Sequence, residues 1–285
     1  MKAAVEVNTH ISNVVRYYKE CWTDRIKRGH NRNSLALHRD YYINSGEDVE
    51  AAKLRLNLLV IKQFDLVNNE FKTFVDAGCG VGGTAIHLAL QFPRIHFIGV
   101  NICPEQTALA RKFARERMNG SNNAEFMQAD YSNTGIDSNT IDGIYAIESI
   151  CHAENKARFY KEANRILKLN GKLVMLDYFL ERETITLNEK KMMGDFLGGW
   201  EIPHCHENFR LLLKKTGFEK IQFTDISKNV RQGIERSCSK ALNQLTSSHN
   251  GTPASMEKHL RACVALNGLF EKKIISYRLL TAVKV

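Results

Sequence analysis

The sequence predicts an α/β protein with a seven-stranded, mostly parallel, doubly wound sheet. From residue 74 onwards, short apolar stretches alternate with helical ones, which is the pattern of a parallel sheet covered by helices. A glycine-rich turn joins the first strand to its helix, as in nucleotide-binding folds. Two apolar stretches near 218–226 and 274–284 would close the sheet as an antiparallel pair.

Residues 1–65 precede the first strand and are predicted to form a helical cap over the carboxyl edge of the sheet. Helices are expected from Ile11 to Asp24 and from Glu47 to Phe64. In the second helix apolar residues recur every three or four positions, as packing on a sheet requires. Residues 66–285 would then form the main domain.

Strands and helices are expected to alternate within the main domain. The predicted strands before the antiparallel pair are 74–76, 96–100, 124–128, 141–147 and 172–178, and the predicted helices are 83–91, 104–118, 154–169 and 206–216. Asn170-Gly171 would end the third of these helices in a left-handed conformation. Residues 180–203 interrupt the alternation and are predicted to form a mobile lid or substrate wall hinged at Gly198-Gly199, although their apolar side chains would equally suit the core of the cap.

The composition is that of a globular enzyme, with 44% hydrophobic and 25% charged residues among 285. The sequence contains no run of 18 apolar residues and no signal-peptide core, so a cytoplasmic protein without a membrane span is expected. Seven cysteines are scattered without a CxxC pair, which argues against a disulfide framework or a structural zinc site. Cysteine and histidine adjoin at 151–152 and 204–206, but adjacent side chains diverge, and no metal site is expected there.

The net charge of +9 is concentrated near the amino terminus. From Arg16 to Arg39 there are seven basic and two acidic residues, a net charge of +5, interleaved with aromatic residues. Docking of an anionic ligand and a solvated basic helix face both account for this segment. A nucleic-acid partner is not expected, because no RNA-binding motif accompanies the basic residues.

The glycine-rich turn reads Asp76-Ala-Gly-Cys-Gly80 and is predicted to bind a nucleoside. Gly78 and Gly80 give the backbone the φ freedom that lets a ligand approach it closely. The spacing alone also fits a nicotinamide-binding fold. The next strand, however, ends in Asn101 with Gln106 close behind, whereas a dinucleotide site usually has Asp or Glu at that strand end.

Asn101, Gln106 and the Asp76 turn together resemble the S-adenosylmethionine (SAM) methyltransferases that act on small molecules. The resemblance implies a class I, Rossmann-like fold and a SAM site. In this superfamily an acidic residue after the third strand accepts a hydrogen bond from the adenine, which assigns that role to Asp130, although an Asp there also commonly caps a turn. The implied cofactor contacts are Asp76, Ala77, Gly78, Gly80, Asn101, Ile102, Gln106, Asp130 and Tyr131.

Glu148 and His152 are the candidate catalytic residues. Glu148 directly follows the apolar strand 141–147, where a carboxylate is costly to bury unless it has a function. Its position, at the strand end that faces the reacting methyl group in such a fold, suits a general base. His152 is expected either to orient substrate or to be a hydrogen-bonded structural histidine.

The stretch from Glu148-Ser-Ile-Cys-His152 to Tyr160 resembles the sterol and tocopherol C-methyltransferases. The region around Tyr17-Tyr18 to Tyr42, the Glu148-Ser149 pair, Asp225-Ile-Ser227 and the end from Ile275 to Val285 are more similar to the prenyl diphosphate C-methyltransferases, the geranyl diphosphate enzyme in particular. The similarity spans most of the chain, but only the SAM-binding part is strongly diagnostic. Two features depart from the usual pattern: Val81 replaces a basic residue between the glycines, and Leu169-Asn170-Gly171 replaces Pro-Gly-Gly.

This resemblance implies methylation of an isoprenoid double bond, best a prenyl diphosphate, through a carbocation that must lose a proton. Glu148 would be the base, directly, through water or together with His152. Aromatic faces can stabilise the cation, while basic residues, helped by Mg²⁺, would neutralise a diphosphate. The implied substrate contacts are Tyr18, Arg25, Arg28, Arg32, His38, Tyr42, Tyr178, Phe179, Phe196 and Trp200.

Other function classes remain open on the sequence. A sterol or tocopherol C-methyltransferase, or an N- or O-methyltransferase of a small aromatic metabolite, would use the same sheet. A SAM-binding protein without catalysis would show cofactor binding and no turnover. The expected partner is a small isoprenoid substrate, and the protein is expected to be a homo-oligomer.

Overall fold

A computed structural model describes residues 9–23, 26, 29, 31–66, 70–197, 206–247 and 254–285. Its centre is a seven-stranded sheet of order β3-β2-β1-β4-β5-β7-β6. The strands are β1 (Lys72–Ala77), β2 (Ile95–Asn101), β3 (Ala124–Gln128), β4 (Ile141–Ile147), β5 (Leu167–Leu180), β6 (Phe218–Asp225) and β7 (Ile275–Lys284). Strands β1 to β5 pair in parallel, and β7 runs antiparallel to both β5 and β6. The predicted fold class is confirmed.

Helices cover both faces of this sheet. They are α1 (Thr9–Tyr18), α2 (Val49–Ile61), α3 (Gly83–Gln91), α4 (Pro104–Arg117), α5 (Lys156–Ile166), α6 (Leu187–Leu197), α7 (His206–Lys215), α8 (Ser227–Ser247) and α9 (Ala254–Glu271). Local chemistry sets several of their starts: Asp48 and Asn155 cap α2 and α5 by accepting backbone hydrogen bonds, and Pro104 occupies the first turn of α4.

Side chains alternate between two cores, one on each face of the sheet. Leu56 of α2 shares a core with Phe74, Tyr178 and Tyr277, whereas Phe179 belongs to the core on the opposite face. This alternation follows from the two-residue period of a strand. Since α2 packs in the same core as β1, it belongs to the helical layer of the sheet, and the boundary at residue 65 stays a prediction.

The structure corrects three local predictions. The first helix is α-helical only to Tyr18, and a π-helical turn continues it over Lys19–Thr23. Helix α5 ends at Ile166, so Asn170, although left-handed with a φ of 64°, lies inside β5 rather than at a helix end. A shift in the β4–β5 register follows the first paired residues there, and this irregularity accommodates the left-handed residue.

Two long helices were missed, and one segment is only partly described. Between β6 and β7 the chain forms α8 and α9, which pack on each other, and α9 also packs on α6. In the interval predicted to be a lid, α6 covers Leu187–Leu197. The proposed hinge at Gly198-Gly199 lies outside the described residues.

Candidate functional site

A deep cavity opens at the carboxyl ends of β1, β2 and β4, which is where ligands bind in doubly wound folds. Residues of α1 and of the segment 35–39 form its opposite wall. Its described lining includes His10, Val14, Tyr17, Tyr18, Trp22, Leu35, His38, Arg39, Asp76, Gly78, Gly80, Asn101, Ile102, Gln106, Asp130, Tyr131, Ile147, Glu148, Ser149, His152, Arg158 and Tyr178. The amino-terminal part and the sheet therefore build one site together.

Both glycines of the turn are left-handed, with φ of 87° at Gly78 and 55° at Gly80. A Cβ added at Gly78 would lie 2.4 Å from Cβ of Ser149, whose hydroxyl donates to the carbonyl of Ala77 (2.6 Å). At Gly80 an added Cβ would meet only Leu37, at 3.4 Å. The absence of a side chain at Gly78 thus leaves room for Ser149. The space through which a ligand can approach the backbone lies at Gly80.

The polar side chains at the ends of β1 and β2 and at the start of α4 include both hydrogen-bonded and unbonded atoms. Asn101 Nδ2 donates to the carbonyl of Gly80 (2.9 Å) and to Gln106 Oε1 (3.0 Å), so Asn101 holds the turn in place. Gln106 Nε2 and Asp76 Oδ2 are buried and have no hydrogen-bond partner among the described residues. Burial raises the pKa of Asp76 to about 7.

Two unsatisfied polar atoms in a cavity are unusual, because buried polar groups are generally hydrogen-bonded. A ligand with hydrogen-bonding and cationic groups, such as SAM, would satisfy Asp76 and Gln106. The open approach at Gly80 fits the same ligand. The residues present therefore suit the implied cofactor.

The residues after β3 lie at the cavity. Asp130 Oδ1 accepts the backbone N–H of Ser132 (2.7 Å), which is the turn-capping role that the sequence left open, and the adenine contact stays a prediction. The Tyr131 hydroxyl donates to the carbonyl of Ser149 (3.0 Å). Ile102 lines the cavity, whereas Ala77 does not.

Glu148 lies directly after β4 in a left-handed conformation, with a φ of 49°. Such strain in a residue other than glycine is costly and concentrates at functional sites. Its Oε1 accepts the backbone N–H of Arg39 (2.6 Å) and the hydroxyl of Tyr277 (2.9 Å). Its Oε2 lies 3.8 Å from Nε of Arg39. The carboxylate is held by groups more than a hundred residues away in sequence.

His152 is a neutral hydrogen-bonding group in this site. Burial, and next the charges of His10 and Lys156, lower its pKa to about 3. The Tyr18 hydroxyl lies 2.7 Å from Nε2 of His152, and Nε2 of His10 donates to the carbonyl of His152 (2.9 Å). A neutral imidazole with these contacts can orient a substrate or Tyr18.

The predicted substrate contacts separate into two groups. Tyr18, His38 and Tyr178 line the cavity. Arg25, Arg28 and Trp200 lie outside the described residues, as does the side chain of Phe196.

The structure places three predicted substrate contacts away from the described cavity lining. Phe179 packs against Phe209 and Phe223 on the opposite face of the sheet, because it follows Tyr178 in a strand. Tyr42 is absent from the described lining, since its hydroxyl donates to Asp40. Arg32 is exposed and also absent from that lining, and its backbone carbonyl accepts a hydrogen bond from Arg117 on α4.

Sequence reasoning missed three residues that shape the site. Arg39 was counted only as part of the basic segment, Ser149 only within a motif, and Tyr277 only within the terminal strand. For Tyr277 the available indication was a tyrosine hydroxyl in a strand that was predicted to lie within the sheet. Nothing local in the sequence pointed to the contact between Arg39 and Glu148.

The described ranges offer neither clustered metal ligands nor a helix that could cross a membrane. These ranges contain no group of three or more histidine, cysteine, aspartate or glutamate side chains that could hold a metal ion. Among their helices, none has the length and apolarity to cross a membrane.

Burial of Asp177 predicts that the free energy of unfolding depends on pH. This carboxyl is 1% exposed on β5, and burial raises its pKa from 3.8 to about 7. Its contribution to stability is therefore complete below about pH 4 and is lost as the pH rises through about 7. Asp177→Asn should unfold with a weaker pH dependence, so that from pH 4 to 8 the wild type loses about 2–4 kcal/mol relative to the variant.

Urea unfolding at pH 4, 6 and 8 measures this difference. Asp137→Asn, at an exposed aspartate, is the control and should track the wild type. Parallel pH dependence of the wild type and Asp177→Asn would show that the pKa of Asp177 is the same in the folded and the unfolded protein.

Comparison with known proteins identifies the class. Residues 75–175 match the model of a family described as a methyltransferase domain. The chain is 31% identical over 159 residues to a sterol 24-C-methyltransferase of Saccharomyces cerevisiae, covering 54% of this chain and 41% of that protein. The chain thus spans less than half the length of that relative.

Solved structures share the fold over nearly the whole chain. A cyclopropane synthase from Mycobacterium tuberculosis, MmaA2, has a TM-score of 0.80 at 16% identity, covering 98% of this chain and 100% of its own. The geranyl diphosphate C-methyltransferase of Streptomyces coelicolor A3(2), solved with Mg²⁺, geranyl diphosphate and S-adenosyl-L-homocysteine, has a TM-score of 0.73 at 14% identity, covering 98% and 99%. At these identities the likeness establishes the fold alone.

Residues 75–175 thus match a methyltransferase domain, and the chain has the class I fold of the SAM-dependent methyltransferases. Within that class the chain is similar to C-methyltransferases of sterols in sequence and of geranyl diphosphate in fold. The resemblance to SAM-dependent C-methyltransferases, stated from the sequence motifs, is confirmed.

Proposed function

We propose that this protein transfers a methyl group from SAM to a carbon atom of an isoprenoid double bond. The observation that supports the proposal most is the position of Glu148. A strained, hydrogen-bonded carboxylate lies at the end of β4, inside a cavity that also contains the glycine turn and several tyrosines. Methylation of an alkene, unlike that of an alcohol or amine, releases a proton from carbon, and a fixed carboxylate can receive it.

The cofactor would be held by Asp76, Gly80 and Gln106, with Asp130 toward the adenine as predicted. SAM, when bound, supplies an electrophilic methyl group on a sulfonium. Asp76 and Gln106 have buried polar atoms without partners among the described residues, and Asn101 fixes the carbonyl of Gly80. Asn101 thus holds the turn in the position in which it would receive the cofactor.

The acceptor would lie against the aromatic side of the cavity. Tyr17, Tyr18 and Tyr178 line it, and ring faces stabilise a carbocation without reacting with it. Both described hydrogen bonds to Glu148 end on Oε1, so Oε2 would take the proton. The same hydrogen bonds stop the carboxylate from rotating away.

The predicted acceptor is a prenyl diphosphate, on the basis of the +5 segment between residues 16 and 39. An uncharged sterol is the second candidate, and one observation favours it. Of the two arginines in the described cavity lining, Arg39 faces Glu148, which leaves less positive charge for a diphosphate. The sequence similarity to a sterol C-methyltransferase agrees with this second candidate.

Incubation with methyl-labelled SAM and an acceptor panel tests the proposal. The panel contains prenyl diphosphates of five to fifteen carbons, the matching alcohols, a sterol with a side-chain alkene, a phenol and an amine. Mass spectrometry after phosphatase treatment should find the label on carbon in an isoprenoid. Label on the phenol or amine alone would replace the proposal with N- or O-methylation, and SAM binding without turnover on any acceptor would leave a non-catalytic binding protein.

The diphosphate assignment makes a separate prediction for Arg25 and Arg28. Charge-assisted hydrogen bonds contribute roughly 1.5–3 kcal/mol each, so replacing either arginine by glutamine should raise the KM for a prenyl diphosphate about tenfold or more. Inorganic diphosphate should inhibit the wild type. Arg115→Gln, at an exposed position on α4, is the control. A preference for the free alcohol or the sterol would contradict the assignment.

A further inference from the structure

The backbone N–H of Arg39, which binds Glu148, lies between two residues that are themselves fixed by hydrogen bonds. Arg39 donates its backbone N–H to Glu148 Oε1 (2.6 Å). On one side, Nδ1 of His38 donates to the Arg39 carbonyl (2.8 Å), and Nε2 of His38 lies 2.9 Å from Oδ1 of Asn57. On the other side lies Asp40, which is 7% exposed. The direction of the Arg39 N–H therefore depends on both neighbours.

Asp40 is anchored to α8, a helix with no residue in the described cavity lining. Arg236 on this helix donates to Oδ2 of Asp40 and to the hydroxyl of Tyr42, and that hydroxyl donates to Asp40 Oδ2 (3.0 Å). The backbone of Tyr42 adds two hydrogen bonds to Asn229, each 2.8 Å. These contacts tie residues 40 and 42 to one face of α8.

The ion pair between Asp40 and Arg236 differs from the other ion pair on this helix. The side chains of Asp40 and Arg236 are 9% and 29% exposed, whereas those of Glu235 and Arg231 are 52% and 37% exposed. Exposed pairs contribute little to stability, but removal of one partner of a buried pair leaves an uncompensated charge. A substitution at Arg236 should therefore move Asp40, while one at Arg231 should not.

We propose that Asp40 and Arg236 are positioning residues for Glu148. They hold the 38–40 segment so that the Arg39 N–H points at the carboxylate. The inference rests on the proposed role of Glu148 as the base. It extends the functional site to α8, which lies outside both the glycine turn and the described cavity lining.

A substitution at Gly233 would disturb the contact between Asp40 and Arg236 without removing a charge. A Cβ added at Gly233 would lie 2.6 Å from Oδ2 of Asp40. Alanine normally stabilises a helix relative to glycine, so a loss of function in Gly233→Ala would come from displacement of Asp40. Ser239→Ala is the control, because Ser239 is exposed on the same helix and alanine there also favours the helix.

The first test compares four variants in methyl transfer to whichever acceptor the wild type uses. Arg236→Met and Gly233→Ala should lower kcat about tenfold to a hundredfold, since misplacement of a catalytic group by about 1 Å has effects of this size, with SAM affinity within about twofold of wild type. Arg231→Met and Ser239→Ala should retain the wild-type rate. Equal rates in all four variants would overturn the proposal.

A double-variant cycle separates positioning from general destabilisation. If Asp40 and Arg236 act only through Glu148, Arg236→Met should cause no further loss of kcat in a Glu148→Gln background, because the base is already absent. If the two fold-losses of kcat multiply in the double variant, Arg236 has a role that is independent of Glu148. Thermal denaturation of each variant verifies that the folded protein is being measured.

Amide hydrogen exchange at Arg39 tests the anchor without any substrate. The Arg39 amide should exchange about tenfold faster or more in Arg236→Met, since its hydrogen bond to Glu148 opens more often, and at the wild-type rate in Arg231→Met. Unchanged exchange would overturn the proposal whatever the activity. If exchange responds as expected but the wild type methylates no isoprenoid, the proposed function fails while the anchoring of the 38–40 segment stands.

Discussion

Replacing Glu148 by glutamine is expected to lower the single-turnover rate of methyl transfer by roughly 10²- to 10⁴-fold. Glutamine keeps the shape of the side chain and an oxygen that can accept the N–H of Arg39 and the hydroxyl of Tyr277, but it cannot take a proton from the methylated cation. SAM affinity should hardly change. Rapid-quench assays with the preferred acceptor, run beside calorimetric titration of SAM, measure both quantities.

A structural Glu148 would behave differently. The glutamine variant would then lose thermal stability or SAM affinity about as much as it loses turnover. Glu116→Gln, at an exposed position in α4, serves as the control and should match the wild type. If Glu148→Gln retains more than about a third of the wild-type rate, well short of the loss expected for a general base, then His152 or the diphosphate itself becomes the proton acceptor.

The second large effect is expected at Gly78. Gly78→Val should abolish SAM binding, and Gly78→Ala should weaken it by about a hundredfold, an order-of-magnitude expectation for a turn that must shift to relieve a clash. The structure changes the reason for this expectation: the added Cβ would collide with Ser149, at 2.4 Å, before it reached a ligand. The turn would have to move away from the position in which Asn101 holds it.

Gly46 provides a control for backbone strain. Its φ of 81° is close to the 87° of Gly78, but a Cβ added at Gly46 meets nothing within 4 Å. Gly46→Ala should therefore bind SAM normally while carrying similar conformational strain. Ser149→Gly should restore part of the affinity in the Gly78→Ala background, because it removes the colliding atoms. Unchanged SAM affinity in a folded Gly78→Val protein would contradict the assignment of the turn.

Local sequence patterns were sufficient for most of the fold. Strand 141–147 was located from its run of apolar residues, and α4 from Pro104 and the acidic residue that follows it. Helix α8 was missed although its buried residues, Val230, Ile234, Cys238 and Ala241, recur at three- and four-residue spacing. The two-residue period of a strand was also available to separate Tyr178 from Phe179. These two misses were errors of interpretation, since the necessary pattern was in the sequence.

The candidate site was predictable only where its residues are consecutive or follow a strand end. The sequence by itself indicated the SAM fold, the glycine turn and Glu148, because glycine spacing and strand-end position are local properties of the chain. Only the tertiary structure decided what holds Glu148, because Arg39 and Tyr277 reach it from 109 and 129 residues away. It likewise decided that Tyr42 serves an anchor on α8 through Arg236, 194 residues further on. Contacts of this range depend on how the strands and helices pack, and no periodicity in the sequence encodes them.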